Sequence, residues 1–123
     1  MDREKIEQVI EYLLSLEKPS GGFAFAKTVP SGIEDSYFAI RSLDSLGFQK
    51  DYTATRVWLS QKAWEPDLTG RVFYYRIQLY RRLELDVPWP LVKSQILEAL
   101  PRIRGNPRKL DFFGRIAQLA ERK

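Results

Sequence analysis

The 123-residue chain contains no cysteine and no histidine, and its one methionine is Met1. Without cysteine there is no disulfide, no thiol nucleophile and no thiolate metal site. Without histidine there is no imidazole base or imidazole metal ligand. No run of about 18 apolar residues occurs, so no membrane span is expected. Gly21-Gly22 lacks the Gly-Lys-Ser/Thr continuation of a nucleotide cradle, which leaves it the reading of a tight turn. No catalytic residue, metal site or cofactor is therefore expected. Met1 to Lys5 is charged with mixed sign and leads into an amphipathic segment, unlike an apolar signal peptide. A cytoplasmic protein is the expectation.

What is present is a foldable, unevenly charged chain. Hydrophobic residues make up 44% of it, enough to argue against disorder. At this length one domain is expected, burying about two thirds of its unfolded surface. Residues 1–50 carry six Lys/Arg against eight Asp/Glu, a balance of −2; residues 51–123 carry fourteen against eight, a balance of +6. The basic part favours arginine, whose planar fork suits carboxylates, phosphates and aromatic faces. The basic residues are spread over three predicted helices and no nucleic-acid motif accompanies them, so nucleic acid is not the expected partner.

The hydrophobic spacing predicts six helices and no strands. Helix 1 is expected from Asp2 to Leu16, with Ile6, Val9, Ile10, Leu13 and Leu14 forming its stripe. A long loop follows, with Phe23 and Phe25 expected to anchor it. Helix 2 is expected from Ile33 to Leu46, opened by a Ser31/Glu34 capping box and closed by Gly47. Helix 3 is expected from about Asp51 or Tyr52 to Lys62, and helix 4 from Leu68 to about Leu85, with Asp67 as its N-cap. Helix 5 is expected from Pro90 to Leu100, where Pro101 ends or kinks it. Helix 6 is expected from Asn106-Pro107 onward. The even helices share a signature: Tyr37-Ile40-Leu43, Tyr74-Ile77-Tyr80 and Phe113-Ile116-Leu119, 37 and 39 residues apart. That spacing fits an array of helical hairpins.

The first hairpin carries a more specific pattern. Leu13-Leu14-Ser15-Leu16 precedes Gly21-Gly22-Phe23, and Glu34-Asp35-Ser36-Tyr37-Phe38 precedes a leucine-rich end and Gly47. Over about residues 6–47 this resembles the repeat of the α/α-toroid enzymes, the protein prenyltransferase β subunits and the squalene/oxidosqualene (terpenoid) cyclases. The resemblance implies an all-α fold of three consecutive hairpins, approximately 2–47, 51–85 and 90–121, forming an arc of an α/α toroid. In that family one helix of each hairpin lies outside and the other lines a central cavity. A full toroid needs five to seven hairpins, so the implied arc is half a ring or less. The transferases' zinc is held by Asp, Cys and His, and the cyclases protonate with an aspartate cluster; neither set is present here. Glu34-Asp35, the one adjacent acidic pair of the resembling region, is sufficiently explained by a helix N-terminus.

Two functions follow from different classes. The first is a non-catalytic interaction or self-assembly module, in which a protein partner or a second copy completes the toroid. Its candidate anchors are Trp64, Trp89, Phe112 and Phe113. The second, implied by the resemblance, is binding of an isoprenoid such as a prenyl diphosphate, or a related enzyme without the zinc site. Its candidate residues are Tyr37, Arg41, Arg71, Tyr74, Arg76 and Tyr80, an aromatic wall with arginines at the rim of an anionic head.

Overall fold

The computed structural model describes residues 2–65, 70–103, 105 and 107–121, the side chains of Ile103 and Lys109 excepted. The protein is all-α, with six helices: α1 (Arg3–Ser15), α2 (Ile33–Ser45), α3 (Thr53–Gln61), α4 (Arg71–Arg82), α5 (Trp89–Ile103) and α6 (Pro107–Glu121). Among the described residues the extended backbone amounts to two isolated bridges, Glu17 to Phe23 and Phe23 to Gly32. No described helix is long and apolar enough to cross a membrane. Contacts divide the chain into two compact units, Met1–Lys62 and Ala63–Lys123; the division falls inside the expected 51–85 hairpin.

The first unit is organised by its loop. Phe23 is 0% exposed, whereas Phe25, expected to anchor the loop beside it, is 67% exposed. The difference lies in the backbone. Gly32 N donates to Phe23 O at 3.0 Å, and Phe23 N donates to Ser36 Oγ at 2.8 Å, so Phe23 is held on both sides. Phe25 lies beyond these pairings, where the loop turns to solvent. Thr55 Oγ1 accepts from Gly22 N at 3.1 Å, tying the loop to α3. Gly21 adopts φ +100°, and a Cβ there would lie 2.3 Å from Ala54 O and 2.7 Å from Trp58 Cβ. The Gly-Gly-Phe sequence is thus required by a left-handed backbone pressed onto a helix.

Helix termini follow the expected chemistry with one exception. Asp2 caps α1 by accepting from Lys5 N. At the end of α2, Gly47 N donates to Asp44 O and Phe48 N to Leu43 O, both at 3.0 Å, with Gly47 at φ +74°. This is the double bond pattern of a Schellman cap. The expected Ser31/Glu34 box does not open α2. Gly32 is the N-cap, one residue later, and the Ser31 hydroxyl donates instead to Gly21 O at 2.8 Å. The loop claims the serine that the helix was expected to use. Asp51 Oδ1 accepts from Thr53 N and Thr53 Oγ1 at the start of α3, which holds its carboxyl below the usual value.

The helix α1 stripe is only partly covered: the helix has no fully buried residue, and Val9 is exposed. The signature positions of the even helices are the buried ones. Ile40, Leu43, Ile77, Tyr80, Phe113, Ile116 and Leu119 are all buried in their own units, with Tyr37 and Tyr74 half-buried.

In the second unit α4 and α5 both pack against α6. The core joins Phe73 and Ile77 of α4, Val92 and Ala99 of α5, and Phe113, Ile116 and Leu119 of α6. Gly70 is the N-cap of α4; the expectations for Asp67 and Leu68 fall outside the described residues, as does that for Asn106. Helix α5 continues through Pro101 to Ile103, past the expected stop. Proline removes the N–H that would bond Leu97 O, and both Leu97 and Pro101 are exposed residues.

Candidate functional site

The six residues expected to bind a ligand fall into separate environments. Tyr37 and Arg41 belong to α2 of the first unit, where Arg41 Nη1 donates to Tyr37 Oη at 2.5 Å. Arg71, Tyr74, Arg76 and Tyr80 belong to α4 of the second unit. Arg71 is exposed at the first helical position, and half-buried Tyr74 accepts from Gln78 Nε2 at 3.1 Å. Arg76 was expected at the rim of an anionic head, but it is only 2% exposed. Its guanidinium lies 4.0 Å from the Trp64 ring centre, and Nη1 donates to Ala63 O at 2.7 Å. Nη2 donates to Tyr80 Oη at 3.3 Å. Arg76 and Tyr80 therefore serve the interior. Stacking on indole and bonding to a carbonyl both suit the planar guanidinium at this buried position.

The interface candidates also divide. Trp64 packs edge-on against Phe73 and Tyr80, with ring centres 5.4 and 5.2 Å apart, and its carbonyl accepts from Gln95 Nε2 at 2.6 Å. Phe112 packs on Tyr74 and Tyr75, with Arg115 above its ring. Both are committed within the unit. Trp89 and Phe113 instead line an open groove between α5 and α6.

That groove has a volume of about 560 Å³. Trp89, Val92, Ile96 and Leu97 form its α5 wall. Phe113, Ile116, Ala117 and Ala120 form its α6 wall, and Lys93 and Glu121 are its charged members. Val92, Phe113 and Ile116 are also core residues, so the floor is part of the packed core. Leu97 is 67% exposed and Ala117 is exposed, so the upper walls are open to an occupant. Val92, Ile96 and Leu97 recur at helical spacing on α5, and Leu97 is the member of that stripe left exposed.

A shallower groove of about 380 Å³ lies on the first unit between α1 and α2, lined by Val9, Phe38, Arg41, Ser42, Ser45 and Leu46. Among the described residues no group of three His, Cys, Asp or Glu side chains could hold a metal ion. No family model, curated protein or solved structure matches the chain.

Proposed function

We propose that the protein is a non-catalytic helical interaction module whose working surface is the groove between α5 and α6. The observation that carries this reading is the open apolar groove built on a packed floor. An exposed apolar concavity of this kind suits the apolar face of an amphipathic helix from a protein partner. The absence of cysteine and histidine from the sequence removes the commonest nucleophile and base pairings, in keeping with a binding role. The toroid-like ordering of the hairpins rests on the sequence resemblance over residues 6–47, and a cytoplasmic setting rests on the cysteine-free composition. Neither is needed for the groove to bind.

The test is selection from a displayed library of 16-residue amphipathic helices, with Leu97→Asp and Ala117→Arg as counter-selections. Both substitutions fall on exposed positions, so circular dichroism should stay unchanged. Helices that bind the wild type and neither variant support the reading; their absence removes it. Light scattering at two protein concentrations tests the self-assembly form, which requires a larger species that Ala117→Arg returns to monomer.

A second reading, an isoprenoid ligand in the same groove, is favoured by its volume and by Lys93 in its lining. Farnesyl diphosphate should then raise the melting temperature of the wild type and leave that of Ala117→Arg unchanged. No rise at high micromolar ligand rejects it.

A further inference from the structure

We infer that the occupant of this groove is the same groove of a second copy, related by a twofold axis running along it, so that α5 of each copy packs on α6 of the other. The inference rests on the groove being the working surface and names its partner. The two walls differ in size. At the rim α5 offers half-buried Ile96 and exposed Leu97, whereas α6 offers exposed Ala117 and half-buried Ala120. They also differ in charge, with Lys93 on α5 and Glu121 on α6, both exposed. Neither of these side chains has an ion-pair or hydrogen-bond partner among the described residues. The groove joins the start of α5 to the end of α6, so the two helices run antiparallel. Equal counts from Gly105 put Lys93 level with Ala117, which is one helical turn from Glu121.

A twofold interface must be complementary to itself, and an axis in the plane of this groove has two simple directions. Along the groove, it lays the large α5 wall of each copy on the small α6 wall of the other. It also brings Lys93 of each copy within a turn of Glu121 of the other, two opposite-charge pairs in all. Across the groove, it sets α5 on α5 and α6 on α6. The α5 wall is centred on Lys93, so that direction places Lys93 on Lys93 and leaves alanine facing alanine. Size and charge thus select the same axis. Four helices then enclose one core, as in a four-helix bundle, and Leu97 and Ala117 become covered. Ala63–Lys123 carries twelve Lys/Arg and seven Asp/Glu, a net +5, so two copies also repel at long range. At 0.15 M salt that repulsion is screened beyond about 8 Å, while charges in contact keep their attraction.

The experiment is sedimentation equilibrium of the full chain in 0.15 M NaCl, from low to high micromolar protein. The expected result is a monomer–dimer equilibrium that Leu97→Asp abolishes. Lys93→Glu and Glu121→Lys, each of which sets two like-charge pairs in the interface, should each raise the dissociation constant about tenfold or more. An equimolar mixture of those two variants should regain wild-type association, because each then meets its opposite charge on the other. All three substitutions fall on exposed positions, and unchanged circular dichroism shows that the fold is kept. A wild type that stays monomeric, a dimer indifferent to Leu97→Asp, or a mixture that associates no better than either charge variant alone overturns the inference. A monomeric chain that still selects groove-dependent helices leaves the groove reading standing; a monomeric chain that selects none overturns both.

Discussion

The two units of this protein are held by different means. Met1–Lys62 closes around a backbone loop: Gly21 is pressed onto α3, Phe23 is enclosed, and Ser36 and Thr55 are fully buried to bond the loop's amides. Ala63–Lys123 closes around side chains: an aliphatic and aromatic core, with Arg76 stacked on Trp64. The first scheme depends on a few irreplaceable atoms. The second depends on buried area; both units leave large apolar side chains exposed, among them Tyr12, Phe25 and Phe38 in the first and Leu91 and Leu97 in the second. The larger groove, about 560 Å³ against about 380 Å³, is on the second unit. The net charges differ too, −1 for the first unit (eight Lys/Arg, nine Asp/Glu) and +5 for the second.

The largest effect should come from Gly21→Ala. A methyl group 2.3 Å from Ala54 O has no room, and the backbone there already has φ +100°. Backbone strain plus overpacking should cost about 3 kcal/mol or more. Hydrogen exchange should show the loss of protection in amides of residues 17–60.

In the second unit Arg76→Ala should cost about 2–4 kcal/mol in chemical denaturation, since it removes the stacked guanidinium and its bond to Ala63 O. Arg76→Lys should recover little, because an ammonium cannot both stack on Trp64 and bond as a fork. Full recovery by lysine would show that charge alone, and not planar geometry, is what the core uses.

Ser36→Ala should cost about 1–3 kcal/mol, the penalty for leaving the Phe23 amide buried without its acceptor. A negligible effect would mean that the loop is held by Phe23 packing rather than by its polar bonds.

The smallest effect has the opposite sign. Glu84 stands at φ +58° in the cap of α4, where Leu85 N donates to Tyr80 O at 2.7 Å and Glu84 N to Arg81 O at 3.3 Å. This is the position that Gly47 fills at the end of α2. Glu84→Gly should stabilise by about 1 kcal/mol, read as a higher thermal midpoint.

Much of this architecture was legible from residue spacing. The six helices are set by three- and four-residue apolar periodicity, and the signature Tyr/Phe-Ile-Leu/Tyr positions are largely those that become buried. Gly47 was legible because only a left-handed residue ends a helix that way. Less legible were the competitions between elements. Ser31 had two potential uses, and only the folded loop decides between Gly21 O and the α2 amides. Arg76 read as a surface cation because its carbonyl and indole partners come from a segment 12–13 residues away. Trp64 and Phe112 read as anchors for a partner, yet their neighbours within the unit occupy them. The groove was not legible, because Val92, Ile96 and Leu97 read as one ordinary apolar stripe, and which of them stays exposed depends on where α6 packs.

The most direct measurement is a map of backbone amide shifts in the ¹⁵N-labelled protein as a 16-residue leucine- and glutamate-containing amphipathic helix is added. The account predicts that the perturbed amides cluster in residues 89–97 and 113–121. Perturbation centred on α1 and α2 of the first unit, or none at millimolar peptide, would contradict it.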